Sequence, residues 1–243
     1  MEEQLYHKFY EVETNHWWFV ARQRIVHHII ENKIHLAKGS RVLDVGCGTG
    51  AVLASLSQQY DAYGTDTSPL AIEFCKRRNL DKVFQCTLDA FPYPDLKFDL
   101  ILLLDVIEHI DDDKGIIRLA SRFLNPGGSV LVTVPAYQFL WTRHDEINFH
   151  KRRYVKSGLR RVLEEAGLKL RLLSYFNTIL FPVALVGRLG EKLFPPKIDQ
   201  TLKIPSQILN SLLTETFSLE QNLIGHIPMP FGLSIVGLAT KST

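Results

Sequence analysis

The chain has 243 residues, 46% of them hydrophobic, and this length suits one α/β domain with insertions better than two independent domains. Its 28 basic and 26 acidic residues leave a net charge of +2, so no strong electrostatic field favours a nucleic-acid partner. Three cysteines do not suit a disulfide framework, and the charged start MEEQLYHKFYEVE shows no secretory signal, so we expect a cytoplasmic protein.

Residues 1–37 are predicted to form an N-terminal helical cap. The segment His16-Trp-Trp-Phe-Val-Ala-Arg22 places three aromatic rings and a guanidinium close together. One interpretation is a cap that folds over a ligand, with Arg22 in a charge-assisted pair with a carboxylate. The other is a tryptophan-rich helix that packs on the sheet through Trp17 and Trp18.

Five apolar runs alternate with helical patterns, which predicts a parallel sheet with helices on both faces. A helix is expected from Ser68, whose hydroxyl is a suitable N-cap before Pro69, to about residue 79. A second helix is expected from about residue 112 until Asn125-Pro-Gly-Gly128 stops it. The predicted strands are 42–45, 62–65, 83–86, 100–104 and 130–134, followed by a helix at 157–166 and strands at 169–176 and 233–239.

The segment Arg41-Val-Leu-Asp-Val-Gly-Cys-Gly-Thr-Gly-Ala51 reads as a strand, a glycine loop and the start of a helix. Such a loop lets backbone N–H groups approach an adenosine-bearing cofactor, and Asp66 is spaced to accept both ribose hydroxyls. Two cofactors fit this pattern. The pyrophosphate of NAD would meet repulsion from Asp44, whereas the ammonium and sulfonium of S-adenosylmethionine would be attracted by it.

The blocks LDVGCGTG, YGTD, LDAFPY and NPGG together resemble class I S-adenosylmethionine-dependent methyltransferases, over most of the chain from Trp17 to Lys241. The bacterial type that it resembles includes the ubiquinone-pathway O-methyltransferases. The resemblance implies a Rossmann-like seven-stranded sheet of order 3-2-1-4-5-7-6 with the last strand antiparallel. It also implies S-adenosylmethionine as cofactor and S-adenosylhomocysteine as product. The expected cofactor-binding residues are Trp18, Arg22, Asp44, Gly46, Cys47, Gly48, Gly50, Asp66, Thr67, Asp89, Ala90 and Leu104, with Arg22 on the methionine carboxylate and Asp89 on the adenine amino group.

The sequence Leu104-Asp-Val-Ile-Glu-His-Ile110 follows the fourth strand at its carboxyl end, where ligand sites form in α/β sheets. Its D-x-x-E-H spacing is similar to an E-x-x-E-H pattern that ligates a divalent cation in ubiquinone-pathway and small-RNA 2′-O-methyltransferases. That similarity makes Asp105, Glu108 and His109 candidate metal ligands, although we expect no metal. Without a metal, His109 is the expected general base, with Glu108 setting its tautomer, although a histidine satisfied by backbone contacts is the alternative.

The stretch from Trp141 to Tyr154 resembles a segment that follows the fifth strand in bacterial methyltransferases and is implicated in acceptor binding. His144 and His150 are second-choice bases or extra metal ligands. One of Lys151, Arg152 and Arg153 is expected to contact a carboxylate or phosphate of the acceptor. The expected substrate-binding residues are Asp105, Trp141, Arg152 and Tyr154.

Residues 178–232 are predicted to form a long, mostly helical insertion between the sixth and seventh strands, and we interpret it as an acceptor lid or an interfacial segment. The uncharged run at 172–187 is too short and too interrupted to span a bilayer. Contact with a membrane through 172–193 and a peripheral location remain open, as does simple core packing.

The sequence therefore predicts a single-domain methyltransferase, residues 1–243, that modifies an oxygen of a rather apolar small molecule. N- or C-methylation is the alternative within the same class. An NAD-dependent oxidoreductase and a non-catalytic cofactor-binding module are the alternatives from other classes.

Overall fold

The computed structural model describes residues 3–193 and 202–242 and shows a seven-stranded sheet flanked by helices. The strand order is β3-β2-β1-β4-β5-β7-β6. Only β7 runs antiparallel to its neighbours, β5 and β6. Both the Rossmann-like fold and the order expected from the sequence are confirmed. The strands are β1 Arg41–Val45, β2 Asp61–Asp66, β3 Val83–Gln85, β4 Phe98–Leu104, β5 Leu124–Pro135, β6 Leu168–Phe176 and β7 Ser234–Lys241.

Nine α-helices surround the sheet in the described ranges. The expected cap of α4 is present, because the Ser68 hydroxyl accepts from the Ala71 N–H and Pro69 occupies the first turn. Helix α5 ends at Phe123, and β5 begins at the next residue, so the Asn125-Pro-Gly-Gly128 turn lies within the strand's irregular start. The helices are α1 Glu3–Val12, α2 Trp17–Ile29, α3 Ala51–Leu56, α4 Pro69–Arg77, α5 Asp113–Phe123, α6 Arg143–Ile147, α7 Lys156–Glu165, α8 Phe181–Leu193 and α9 Gln207–Ser218.

The apolar core lies on both faces of the central strands. One face packs Leu43, Ile101 and Val132 against α5 and α7. The other packs Val42 and Leu100 against α2, which contributes Ile25, among other side chains. Burial on both faces explains why the last five residues of β4, Leu100 to Leu104, read as a continuous apolar run in the sequence.

The insertion after β6 supplies α8 and α9. Helix α9 packs on α2, with Trp17 meeting Phe217 edge to face. Helix α8 contacts a short 3-10 turn, Gln138–Leu140, that follows β5. Residues 194–201 of the insertion and the first two residues of the N-terminal cap lie outside the described residues. Among the helices of the described ranges, none has both the length and the apolar content needed to cross a membrane.

Candidate active site

The glycine loop lies between β1 and α3, at the carboxyl edge of the sheet. Gly46, Gly48 and Gly50 all have positive φ, of 71°, 54° and 85°. A Cβ on Gly50 would lie 2.7 Å from the Cys75 sulfur, so this glycine is required by packing as well as by backbone conformation. A Cβ on Gly48 would meet no heavy atom within 4 Å. The loop therefore leaves open space beside Gly48, as a backbone that approaches a ligand requires.

Two alanine variants separate these roles. We expect Gly50→Ala to lower the melting temperature strongly, because it adds a steric clash to a left-handed backbone cost of about 1–2 kcal/mol. Gly48→Ala should carry only the backbone cost but weaken binding of S-adenosylmethionine, the cofactor expected from the sequence, by about tenfold or more. Calorimetry and thermal melts measure both. Unchanged affinity in folded Gly48→Ala would contradict the placement of the ligand at this loop.

Two buried carboxylates flank the loop. Asp66, at the end of β2, accepts hydrogen bonds from the backbone N–H groups of Gly48 at 3.0 Å and Ser68 at 2.9 Å. Burial raises the pKa of Asp66 despite these bonds. Asp44, in β1, is 3% exposed, and burial raises its pKa to about 7 against the attraction of Arg22. A cation placed beside Asp44 would stabilise the charged carboxylate.

Arg22 lies on α2 and is almost fully buried. Its Nη2 is 2.5 Å from the Asp105 carboxylate and donates to the Thr133 hydroxyl at 3.2 Å, while the guanidinium lies over the Trp18 ring. Its Nε has no hydrogen-bond partner among the described residues. Asp105 follows β4 with a φ of 58°. The structure thus gives Arg22 an internal carboxylate partner, where the sequence predicted a pair with the methionine carboxylate, and its Nε–H is left for a ligand.

Glu108, His109 and His150 come together beyond the end of β4. One ligand atom from each side chain lies within 4.8 Å of the others, and the two imidazole rings meet edge to face at 4.7 Å. Glu108 is fully buried, and neither of its carboxyl oxygens has a hydrogen-bond partner in the described part of the chain. Burial and the nearby Asp105 raise the pKa of Glu108 well above its usual value. An unpaired buried carboxyl facing two imidazoles is costly to maintain and marks a functional site.

The environments of the three candidate histidines differ from the order in which the sequence ranked them, with His109 first and His144 and His150 second. Burial and the neighbouring His150 lower the pKa of His109 to about 4, which makes it a weak base. His144 is half-buried, desolvation likewise lowers its pKa to about 4, and its Nε2 lies 3.2 Å from the Asn148 amide. His150 instead contacts the Asp145 carboxylate through Nδ1 at 2.8 Å. His150 is therefore the imidazole of the cluster that has a carboxylate partner.

The basic run after α6 is already neutralised by carboxylates. Lys151 pairs with Asp111, Arg152 with Asp113 at 3.1 Å, and Arg153 with the buried Asp145. The Tyr154 hydroxyl donates to Asp113 at 2.7 Å and is buried. Arg152 and Tyr154 therefore have partners within the fold. Their contact with an acceptor stays a prediction.

The remaining predicted residues line the same edge of the sheet. Thr67, Asp89 and Ala90 are exposed, while Leu104 and Trp141 are half-buried. The Cys47 sulfur lies 3.8 Å from that of Cys75.

Two features of the site were missed in the sequence. The first is Asp145, whose carboxylate accepts hydrogen bonds from His150 and Arg153. The sequence contains an acid, a histidine and an arginine close together, but their spacing follows neither the helical nor the strand periodicity that the sequence analysis used. The second is Glu13, which pairs with Arg78 at 2.7 Å and accepts from the Thr49 hydroxyl of the glycine loop. These contacts fasten the end of α1 beside the cofactor loop.

Comparison with known proteins gives a consistent result. A family model described as a methyltransferase domain matches residues 17–173. Phosphoethanolamine N-methyltransferase 1 of Arabidopsis thaliana is 36% identical over 110 residues, which are 42% of this chain and 22% of that protein. The ubiquinone biosynthesis O-methyltransferase of Xanthomonas oryzae is 29% identical over 137 residues, 49% of this chain and 56% of that protein. The chain thus spans under a quarter of the plant relative and about half of the bacterial one.

A solved structure from Thermotoga maritima, described as an S-adenosylmethionine-dependent methyltransferase and possible histamine N-methyltransferase, superposes with a TM-score of 0.57 at 21% identity. The match covers 98% of this chain and 99% of that one. At this identity the likeness supports the fold alone.

Proposed function

The chain belongs to the methyltransferase-domain family, and we propose that it transfers a methyl group from S-adenosylmethionine to an oxygen of a small, rather apolar acceptor. This assignment of the acceptor atom is supported chiefly by one observation, the partly buried cluster of Glu108, His109 and His150 beyond the end of β4. A hydroxyl must lose a proton as it is methylated, and the cluster offers imidazole nitrogens for that proton.

The cofactor supplies an activated methyl group on a sulfonium. In the proposed mechanism the residues of the chain bind and orient the cofactor. The glycine loop and Asp44 bind its methionyl end, and Asp66 binds its ribose. His150 accepts the proton of the acceptor hydroxyl. Glu108, unpaired in the buried cluster, accepts a hydrogen bond from the acceptor or balances the charge that develops on the imidazole.

The same three side chains could hold a divalent cation instead. Two imidazoles and a carboxylate form a common set of metal ligands, and the second nitrogen of His150 is held by a carboxylate, as is typical of metal-bound histidines. Asp105 does not join this set, because it is paired with Arg22. A cation here would lower the pKa of the acceptor hydroxyl. The metal-free base remains our primary proposal, and activity after treatment with EDTA distinguishes the two.

An apolar acceptor is supported by the exposed faces of the insertion. Val183 and Val186 on α8, and Ile208 and Leu212 on α9, are 61% to 85% exposed. We propose that the insertion covers the acceptor pocket and that an acceptor with an apolar tail contacts these side chains. A cytoplasmic protein at the surface of a membrane would suit such an acceptor.

N-methylation is the second candidate, favoured by the similarity to phosphoethanolamine N-methyltransferase 1. To decide, the purified protein would be incubated with labelled S-adenosylmethionine and matched panels of phenolic and amine acceptors, including phosphoethanolamine. Native mass spectrometry of the protein as purified would identify a co-purified acceptor. We expect label only in hydroxyl-bearing acceptors. Transfer confined to amines would overturn the proposal.

A further inference from the structure

Asp145 is fully buried within the short helix α6, and both its oxygens are fully used. Oδ1 accepts from His150 Nδ1 and Arg153 Nε, each at 2.8 Å. Oδ2 accepts from Arg153 Nη2 at 2.9 Å and from the Thr142 backbone N–H at 2.8 Å. Arg153 thus pairs with both oxygens, as a guanidinium does with a charged carboxylate. A charged carboxylate only accepts hydrogen bonds, so Nδ1 of His150 must carry a proton.

We propose that Asp145 is a positioning residue that fixes His150 in the Nδ1–H tautomer, so that the lone pair of Nε2 remains for the cluster with Glu108 and His109. This inference rests on the proposed role of His150. It holds whether Nε2 accepts a proton or binds a cation, because both require an unprotonated Nε2.

The surrounding contacts fix this arrangement to the sheet. Arg153 is 8% exposed, grips both oxygens of Asp145 and donates through Nη1 to the Ala136 carbonyl, just beyond β5. The Lys151 backbone N–H donates to the Glu108 carbonyl at 2.8 Å, which ties the His150 segment to the cluster. The orientation of His150 is thus set from the ends of β4 and β5.

Asp145→Asn should reverse the tautomer of His150. The NH₂ group of the asparagine must take the place of one of the two carboxylate oxygens. At Oδ2 it would face two donors, from Thr142 and Arg153, whereas at Oδ1 it faces only Arg153 Nε and can donate to His150 Nδ1. The second placement leaves fewer donors unpaired and forces the proton of His150 onto Nε2.

The tautomer can be read directly in the wild-type protein. In ¹⁵N NMR of protein labelled in histidine, the one-bond N–H coupling identifies the protonated ring nitrogen, and His150→Gln assigns the signal. We expect Nδ1–H. An Nε2–H signal in the wild-type protein would overturn the inference even if no variant folds. The spectrum needs no acceptor, so a failed search for O-methylation would not affect it.

Kinetics supply the second arm. Asp145→Asn should show Nε2–H on His150 and a kcat lower by about 10²- to 10⁴-fold, with unchanged affinity for S-adenosylmethionine. Asn148→Ala is the matched control, since Asn148 is buried in the same segment and bonds the His144 carbonyl but not His150. It should lose stability yet keep the tautomer and kcat. Folded Asp145→Asn with wild-type kcat would refute the assignment.

Discussion

Replacing Asp44 by asparagine is expected to weaken S-adenosylmethionine binding by about 10- to 100-fold and to make the cofactor-free protein more stable above neutral pH. Burial raises the pKa of this carboxyl to about 7, and the attraction of Arg22 offsets this effect only in part. Ionisation of Asp44 in the cofactor-free protein therefore destabilises the fold. A cationic cofactor would stabilise the charged form, and a charge-assisted hydrogen bond contributes about 1.5–3 kcal/mol. Calorimetry and thermal melts of both proteins test the two expectations together.

The raised pKa of Asp44 determines how the stability of the free protein and its affinity for the cofactor change with pH. In the free protein, the stability associated with the neutral carboxyl is present at low pH and is lost as the pH rises toward about 7. Cofactor binding shows the opposite trend, because the carboxyl must release its proton to bind a cation. Wild-type affinity should therefore fall by up to about tenfold per unit below that pH, with proton release measurable in buffers of different ionisation enthalpy. Asp44→Asn should lack this dependence.

Asp66→Asn is the matched control for Asp44→Asn. Asp66 is also buried, but its carboxylate accepts from two backbone N–H groups, and an amide oxygen replaces only one acceptor. This variant should therefore be less stable than the wild type, the reverse of Asp44→Asn. Equal cofactor affinity in Asp44→Asn and wild type would contradict the assignment of Asp44 to the cofactor ammonium.

The fold was predictable because its signal is local. Each parallel strand is an apolar run, and each βα connection carries its own cap or glycine, as at Ser68 and Gly50. The position of β7 between β5 and β6 is not encoded in any local pattern and came from the family resemblance. The glycine loop was predictable for the same reason as the strands, since positive φ at Gly46, Gly48 and Gly50 is a local requirement.

The site's pairings were less predictable, because they join residues far apart in the chain. Arg22 meets Asp105 only because α2 packs over the carboxyl ends of β4 and β5. His150 joins Glu108 because the segment after α6 returns to the turn that follows β4. Sequence spacing ranked His109 above His150, whereas the decisive contact, from Asp145 to His150, is a property of a short helix and loop without periodicity.

Replacing Glu108 is expected to lower kcat as strongly as Asp145→Asn does. Its carboxyl is 0% exposed and has no hydrogen-bond partner among the described residues. Burial of this carboxyl therefore lowers the stability of the fold. Glu108→Leu should raise the melting temperature of the free protein and lower kcat by about 10²- to 10⁴-fold, with cofactor affinity nearly unchanged. Glu108→Gln keeps the shape but cannot be ionised, and we expect it to be similarly inactive.

Glu220→Leu makes the prediction for Glu108 specific to the site. Glu220 is equally buried, but one of its oxygens accepts from the backbone N–H groups of Thr178 and Ile179, each at 2.7 Å. This variant should lower the melting temperature and leave kcat within about threefold of wild type, because it leaves both N–H groups, which anchor the insertion, without an acceptor. Replacing Glu220, which anchors the fold, should thus lower the melting temperature, whereas replacing Glu108, which serves catalysis, should raise it. Loss of stability in Glu108→Leu, with activity retained, would assign Glu108 to the fold instead.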